Sequence, residues 1–353
     1  MQSKAKHKSA RRRLRLIGWM TAFVVVAAMV IPLTGYVYVA MAQTDDSVAQ
    51  SEPAQAAPTT NPSSDLWRQA RQAQEGVTAV RGPGANVFMI DSAETFRQVR
   101  MGPVSTYLPI FLGFMVLAMV GLHFYTGGGA KPGNPSGKRV PAWTLFDRIL
   151  HWYVAVLFLI LAITGLSLLF GRAVLIPILG PEGFAAWARA SKFVHDWGGV
   201  LFVPGVLVMA VAWLHHNKPS MVDVRWLLFG GAFGKHLPAG RYNGGQKIWF
   251  LVNVLAGIVV CVTGVLLLLP NIFENRELFQ VSLIIHAVVA ILWLGVSFAH
   301  IYMATIGAPG SVDITTKGHV SSEWAQLHRP LWYDEIKDQE FDPKAGASPP
   351  RKA

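Results

Sequence analysis

Long apolar segments constrain this chain more than any other feature of its sequence. Charged residues make up 14% of its 353 residues, whereas a soluble domain carries about a quarter. We therefore expect an all-α integral membrane protein. Five segments are each long enough to cross a bilayer as a helix, at about residues 104–124, 148–170, 196–214, 248–269 and 280–304.

The N-terminal part predicts an exported segment. A basic stretch and a long apolar run precede Ala40-Met41-Ala42, the small-x-small pattern of a signal peptidase site. Residues 1–42 are therefore either a cleaved signal peptide or an uncleaved anchor. Residues 43–103 follow as a periplasmic segment. Its Ser-, Pro- and Gln-rich first part is typical of disorder, and a short strand and helix are expected after residue 86.

Loop charges give the helices a direction across the membrane. The connections 125–147 and 215–247 are basic, whereas 270–279 carries two Glu against one Arg. The positive-inside rule places the first two in the cytoplasm and the third outside, and parity places 171–195 outside. The expected order is an extra transmembrane helix, a cytoplasmic linker, a transmembrane core and a cytoplasmic tail, at residues 104–124, 125–147, 148–304 and 305–353.

Two histidines, His286 and His300, lie fourteen residues apart in the last apolar segment. In a helix their side chains point about 40° apart and lie roughly 21 Å apart along the axis. Ionisable groups inside a membrane helix are costly and mark functional sites. The topology places His286 at the outer level, together with His195. It places His300 at the inner level, together with His151.

Two histidine pairs at two depths predict two b-type haems, because a low-spin haem iron binds one neutral imidazole on each side. We expect His151 and His300 to bind an inner haem iron, and His195 and His286 an outer one. A four-helix dihaem bundle with one extra transmembrane helix accommodates this ligand set.

Three glycines and the single cysteine limit further which cofactors this chain is expected to bind. Gly165, Gly198 and Gly199 are candidate positions for close approach of a haem to the backbone, although glycine is also common in membrane helices. Cys261 is the only cysteine. Disulfides, iron–sulfur clusters held by this chain and covalent c-type haem are therefore excluded.

The other histidines do not have the close spacing of a zinc site, and no catalytic residue set is recognisable. His215 and His216 are expected to contact lipid head groups or a partner subunit. The net charge of +11 is spread over loops and termini, so no nucleic-acid partner is expected. The other histidines that lack the spacing of a zinc site are His7, His123, His236, His319 and His328.

The loop at residues 241–247 predicts a quinone site. Asn243 and Gln246 carry side-chain amides, and the backbone N–H of Gly245 lies at a helix N-terminus. All of these groups are able to bond a carbonyl oxygen. A quinone head group offers two such oxygens at the membrane interface. A helix-capping loop explains the same residues equally well.

These motifs occur in an order that resembles the cytochrome b, or gamma, subunit of membrane-bound respiratory formate dehydrogenase. The resemblance covers about residues 143–340, and residues 86–108 look like the exported extension of the longer members. The matching motifs are Phe146-Asp147-Arg148, His151-Trp152, Thr164-Gly165, His195, His215-His216-Asn217, 242–247, 282–286, 300–303, 318–321, Trp324-Ala325 and 330–333.

The resemblance implies two haem b groups on the four paired histidines and menaquinone or ubiquinone near His300, held by Asn243, Gly245 and Gln246. It implies two partners, a molybdenum- or tungsten-pterin alpha subunit that oxidises formate on the periplasmic side and an iron–sulfur beta subunit. Electrons would pass from the beta subunit to the outer haem, the inner haem and then the quinone. The location implied is the bacterial inner membrane.

Two alternatives remain open from the sequence. The same dihaem scaffold also suits a nickel–iron hydrogenase or another periplasmic oxidoreductase, because a fold does not fix the electron donor. The second alternative is a membrane anchor subunit without haem. The motifs at residues 241–247 and 324–333 favour the formate dehydrogenase interpretation.

Overall fold

The computed structural model describes residues 91–129, 136–273 and 275–343. Within these residues, four helical stretches are long and apolar enough to cross a membrane: Ala93–Thr126, Leu145–Asn217, Gly244–Leu268 and Arg276–Gly307. The predicted all-α, multi-pass membrane fold is therefore confirmed. The predicted signal segment and most of the predicted periplasmic segment lie outside the described residues.

The elements follow one another in a simple order. They are α1 (Asp91–Val99), a π-helical turn (Arg100–Val104), α2 (Ser105–Thr126), β1 (Arg139–Pro141), α3 (Leu145–Leu214), α4 (Met221–Leu228), α5 (Gly244–Leu268), α6 (Pro270–Phe273), α7 (Arg276–Tyr302) with a π-helical turn (Met303–Gly307), α8 (Val312–Lys317), β2 (His319–Ser321), α9 (Ser322–His328) and α10 (Pro330–Ile336). Short 3-10 turns occur at His215–Asn217, Gly231–Phe233 and Lys337–Gln339.

Helix α3 is a hairpin of two antiparallel arms. Gly180 has a φ of 71° and breaks the helix, because only glycine adopts this conformation readily. Beyond this turn the second arm runs back along the first. At the open end of the hairpin, Trp213 Nε1 donates a hydrogen bond to Asp147 Oδ1 at 2.9 Å.

The arms of α3 are longer than the apolar segments predicted at 148–170 and 196–214. The predicted connection 171–195 is helical on both sides of Gly180. Hydropathy marks the part of a helix that lies in lipid, whereas the helix itself continues as long as its backbone hydrogen bonds are satisfied. Polar side chains near the turn therefore ended the predicted spans without ending the helices.

The two arms of α3 form a four-helix bundle with α5 and α7. The ring centre of Trp293 on α7 lies 4.8 Å from that of Phe158, and its Nε1 donates to Asn253 Oδ1 on α5 at 3.0 Å. Close packing needs a glycine on α5, since a Cβ on Gly257 would lie 2.9 Å from Val206 Cγ1. The buried residues at this centre are Leu150, Val154, Phe202, Val206, Met209 and Trp293.

Helix α2 packs against α7 outside this bundle. A second buried cluster joins the two helices and the first arm of α3, and its members are Val104, Leu108, Leu112, Leu166, Phe170, Ile291, Leu294 and Phe298. Large apolar side chains such as Phe114 and Leu117 are exposed on the other faces of α2. An apolar, outward-facing surface on a spanning helix is suited to lipid.

The linker before α3 and the C-terminal tail form a small folded unit. β1 pairs with β2 in antiparallel fashion, and side chains such as Val140, Trp324 and Trp332 are buried together. Arg329 is 3% exposed, and its guanidinium carbon lies 4.9 Å from the ring centre of Trp324 and 5.6 Å from that of Tyr242. Burial lowers the pKa of Arg329 to about 10, which leaves it charged at neutral pH. The tail therefore holds the loop that contains Tyr242.

A buried ion pair fixes the start of α5. Lys247 Nζ lies 2.7 Å from Asp223 Oδ2, and the hydroxyl of Ser220 donates to the same oxygen at 2.6 Å. Burial opposes ionisation of Asp223, but the hydrogen bonds from Lys247 and Ser220 outweigh it and lower the pKa of this carboxyl. The pair joins α4 to the first turn of α5.

The variant Asp223→Asn tests this ion pair. Because Lys247, whose side chain is 16% exposed, would lose its partner charge, the free energy of unfolding should fall by up to about 3 kcal/mol, measured as a lower Tm in detergent. A carboxyl with a lowered pKa stabilises the protein above its ordinary pKa, and this contribution disappears as the pH falls through the lowered value. The difference in Tm between Asp223→Asn and the wild type should therefore become smaller as the pH falls.

The control is Asp334→Asn, which removes one partner of the exposed Lys337–Asp334 pair. An exposed pair contributes at most about 1 kcal/mol. Equal Tm values for the two variants would contradict the role given to Asp223.

Candidate functional site

The bundle brings the four predicted histidines together as two pairs. His195, on the second arm of α3, faces His286 on α7, and their ring centres are 6.1 Å apart. We call these two the turn-side pair, because they lie nearer the Gly180 turn. His151, on the first arm of α3, faces His300 on α7 at 6.3 Å. These two form the loop-side pair, nearer the loop at residues 241–247.

The spacing within each pair fits one metal ion held between two imidazoles. An imidazole nitrogen binds a metal at about 2 Å and lies roughly 1 Å from its ring centre, so two opposed ligands have ring centres about 6 Å apart. In the described part of the chain, no third His, Cys, Asp or Glu joins either pair in a metal-binding group. A haem iron needs only two protein ligands, since the macrocycle supplies the others. The residues present therefore fit haem.

Two threonines orient the imidazoles of the turn-side pair. Thr164 Oγ1 lies 3.0 Å from His195 Nδ1, and Thr263 Oγ1 lies 3.0 Å from His286 Nδ1. Neither threonine is among the predicted site residues. The dipeptide Thr-Gly occurs at both places, as Thr164-Gly165 and Thr263-Gly264, but also at Thr34-Gly35 and Thr126-Gly127, so the sequence signal for these two hydroxyls is weak.

Aromatic rings surround the loop-side pair. Trp249 stacks on His300, with ring centres 4.7 Å apart and planes at 13°. The ring centre of Trp143 lies 5.5 Å from that of His151, and Trp143 Nε1 donates to the hydroxyl of Tyr242 at 3.0 Å. Two tryptophans outside the predicted set thus connect the loop-side pair to the loop at residues 241–247.

The three predicted haem-packing glycines lie in different surroundings. A Cβ on Gly165 would lie 3.1 Å from His195 Cε1, whereas a Cβ on Gly198 would lie 3.3 Å from a methyl group of Leu161. A Cβ on Gly199 would meet no atom within 4 Å. Gly165 therefore lets the His195 ring approach the backbone, and a direct haem contact of the three glycines stays a prediction.

The predicted quinone residues form the N-terminal cap of α5. Asn243 Oδ1 accepts a hydrogen bond from Gln246 N at 2.9 Å, and Gln246 Oε1 accepts one from Asn243 N at 3.0 Å. The cap uses the side-chain oxygens, so the two amide NH2 groups stay outside it. Gly245 packs on Trp226, since a Cβ there would lie 3.1 Å from the indole ring. The helix-capping interpretation is thus correct, and quinone binding by these residues and His300 stays a prediction.

The other histidines within the described residues have partners elsewhere. His123 Nδ1 lies 3.3 Å from the hydroxyl of Tyr302, and His215 lies against His216 with ring centres 3.6 Å apart. The ring centre of His236, in the connection between α4 and α5, lies 5.6 Å from that of His328 in α9. These contacts lie outside both histidine pairs.

The variant Gly165→Ala should displace the His195 ring. Its new Cβ would lie 3.1 Å from His195 Cε1, which is closer than ordinary van der Waals contact. We expect loss of most of the haem bound by the turn-side pair, measured as b-type absorbance per protein. Gly199→Ala is the matched control, since its Cβ meets open space. Unchanged absorbance in Gly165→Ala would contradict this account of the pair.

Comparisons with known proteins agree with this geometry. A family model described as prokaryotic cytochrome b561 matches residues 142–318, a range that includes all four paired histidines. The cytochrome b556(Fdn) subunit of nitrate-inducible formate dehydrogenase from Escherichia coli (strain K12) is 31% identical over 212 residues, which are 58% of this chain and 94% of that protein.

Two further relatives have similar names. The formate dehydrogenase cytochrome b556(fdo) subunit of the same strain is 28% identical, over 55% of this chain and 92% of that protein. A formate dehydrogenase cytochrome b556 subunit from Haemophilus influenzae is 29% identical, over 53% of this chain and 79% of that protein. The matched range, the relatives and the histidine pairs together identify the chain as a member of the prokaryotic cytochrome b561 family.

Proposed function

We propose that this protein is the dihaem cytochrome b subunit of a membrane-bound formate dehydrogenase. The observation that carries the proposal is the presence of two histidine pairs, with ring centres 6.1 and 6.3 Å apart, in one bundle. Each pair would hold one haem b, whose iron carries a single electron when bound.

Different residues of the bundle contribute in different ways to the proposed electron transfer. The paired imidazoles would hold the iron, and α7 would set the distance between the two sites because it carries one histidine of each pair. The buried rings of Phe202 and Trp293, with the partly buried ring of Phe158, occupy the space midway between the pairs and would exclude water from it. A dry interior keeps the electron path inside the protein.

The loop at residues 241–247 is proposed to bind the quinone, either menaquinone or ubiquinone. Its Tyr242 is linked through Trp143 to His151, and Trp249, two residues after the loop, stacks on His300. The amide NH2 groups of Asn243 and Gln246 are free of the helix cap and suited to a quinone carbonyl oxygen. This proximity supports quinone reduction next to the loop-side pair.

The direction of electron transfer follows from the proposed orientation. Basic residues such as Arg139, Arg241 and Lys247 lie at the loop-side end of the bundle, and the positive-inside rule assigns that end to the cytoplasm of a bacterial inner membrane. The turn-side pair would then receive electrons on the periplasmic side. The proposed donors are an iron–sulfur beta subunit and a molybdenum- or tungsten-pterin alpha subunit that oxidises formate.

The names of the relatives favour formate dehydrogenase over a nickel–iron hydrogenase as the partner. Three related cytochrome b556 subunits, 28 to 31% identical to this chain, are described as belonging to formate dehydrogenases. Purification of the native complex decides between them. A pterin-containing subunit that elutes with this chain supports the proposal, and a nickel-containing subunit overturns it.

The variant His286→Ala tests the turn-side ligands. Without one imidazole the pair should lose its haem, so that reduced-minus-oxidised spectra show about half of the b-type absorbance and formate-driven quinone reduction stops. His236→Ala changes an exposed histidine outside the pairs and should behave as the wild type. Full activity of His286→Ala would reject the ligand assignment, and a wild type without b-type absorbance would favour a haem-free anchor.

The variants Asn243→Ala and Asn243→Ser separate quinone binding from helix capping. Serine keeps an oxygen that caps the helix but removes the amide donor. We expect both variants to raise the KM for quinone several-fold and to keep both haem spectra. A wild-type KM in Asn243→Ser, with a raised KM only in Asn243→Ala, would show that Asn243 acts through the cap alone.

A further inference from the structure

The two threonine hydroxyls of the turn-side pair are hydrogen-bond acceptors for the histidines. Thr164 Oγ1 donates its only proton to Ile160 O at 2.8 Å, and Thr263 Oγ1 donates its proton to Val259 O at 2.7 Å. A hydroxyl whose proton is already donated offers only its lone pairs to a neighbour. With a hydrogen on Nδ1 of His195 and of His286, each hydroxyl keeps its bond to the carbonyl and also accepts one from the imidazole.

This arrangement selects one tautomer of each imidazole. A proton on Nδ1 leaves the Nε2 lone pair available for a metal. The glycine after each threonine makes the arrangement fit, because a Cβ on Gly165 would lie 3.1 Å from His195 Cε1 and one on Gly264 would lie 3.3 Å from His286 Cε1. The same Thr-Gly pair therefore lies next to each turn-side histidine, once on α3 and once on α5.

The loop-side pair lies in different surroundings. Within the described residues, His151 Nδ1 is buried and has no hydrogen-bond partner. The ring of His300 is oriented by stacking on Trp249, with planes at 13°. Hydroxyl acceptors therefore support both turn-side ligands, whereas at least one loop-side ligand lacks such support.

We propose that Thr164 and Thr263 are positioning residues that lower the reduction potential of the turn-side haem below that of the loop-side haem. An acceptor on Nδ1–H raises the basicity of the ligand, and a more basic ligand favours the ferric iron over the ferrous iron. This inference rests on the proposed function. With a haem held by each pair, the two threonines would thus favour electron transfer from the turn-side pair to the loop-side pair, toward the quinone loop.

The variants Thr164→Val and Thr263→Val remove each hydroxyl at nearly constant shape. In the full chain in its native membranes, a redox titration followed by b-type absorbance should show the turn-side midpoint potential rising and the loop-side midpoint unchanged. His286→Ala identifies which midpoint belongs to the turn side. We expect a several-fold change in the ferric-to-ferrous ratio at a fixed potential, where tenfold corresponds to about 59 mV for one electron.

Two matched variants separate the hydrogen bond from packing. Thr164→Ser keeps the hydroxyl and should keep the wild-type potential. Ser167→Ala removes a hydroxyl that is as buried as that of Thr164 and likewise donates to the carbonyl one turn earlier, at 2.8 Å from Ile163 O. It should leave both potentials unchanged.

The outcomes are distinguishable from a failure of the proposed function. Two haems with unaltered potentials in both Thr→Val variants would overturn the inference and leave the dihaem assignment intact. If Thr164→Val loses the turn-side haem, retention in Thr164→Ser supports the hydrogen bond, and loss in Thr164→Ser as well overturns it. A wild type without b-type absorbance would instead refute the proposed function.

Discussion

The need of each buried imidazole for a partner organises the rest of this structure. Helix α7 carries His286 and His300 on nearly one face, four helical turns apart. A polar ring in an apolar interior is costly unless its nitrogens are bonded, so each histidine is stabilised by a partner across the bundle, which in the proposed function is a shared metal. The α3 hairpin places one histidine opposite each of them. His195 lies near its turn and faces His286, and His151 lies near its open end and faces His300.

Helix α5 carries none of the four paired histidines, yet it contacts both pairs. Near its C-terminal end Thr263 bonds His286, and near its N-terminal end Trp249 stacks on His300. Asn253 links Trp249 to the middle of the bundle, because it accepts a hydrogen bond from Trp293 and donates one to Trp249 O. Helix α5 therefore contributes a hydroxyl to the surroundings of one pair and an aromatic face to those of the other.

Contacts from the tail and from α4 hold the loop-side end of the bundle. The tail buries Arg329 against Tyr242, and the ion pair of Asp223 with Lys247 anchors the first turn of α5. These contacts hold the loop at residues 241–247 next to the ligands of the loop-side pair. A quinone site needs such fixed donors, because a small head group offers few atoms by which to be recognised.

The sequence by itself determined the membrane class, the four histidines and their sorting by level, because hydropathy, loop charge and helical period are local properties of the chain. It left the ends of the α3 arms, the packing of the tail and the roles of Thr164 and Thr263 undetermined. Those features depend on contacts between residues far apart in the chain, such as a hydroxyl on α5 that faces a ring on α7. Only the tertiary structure therefore decided what surrounds each histidine pair, and with it how the two sites differ.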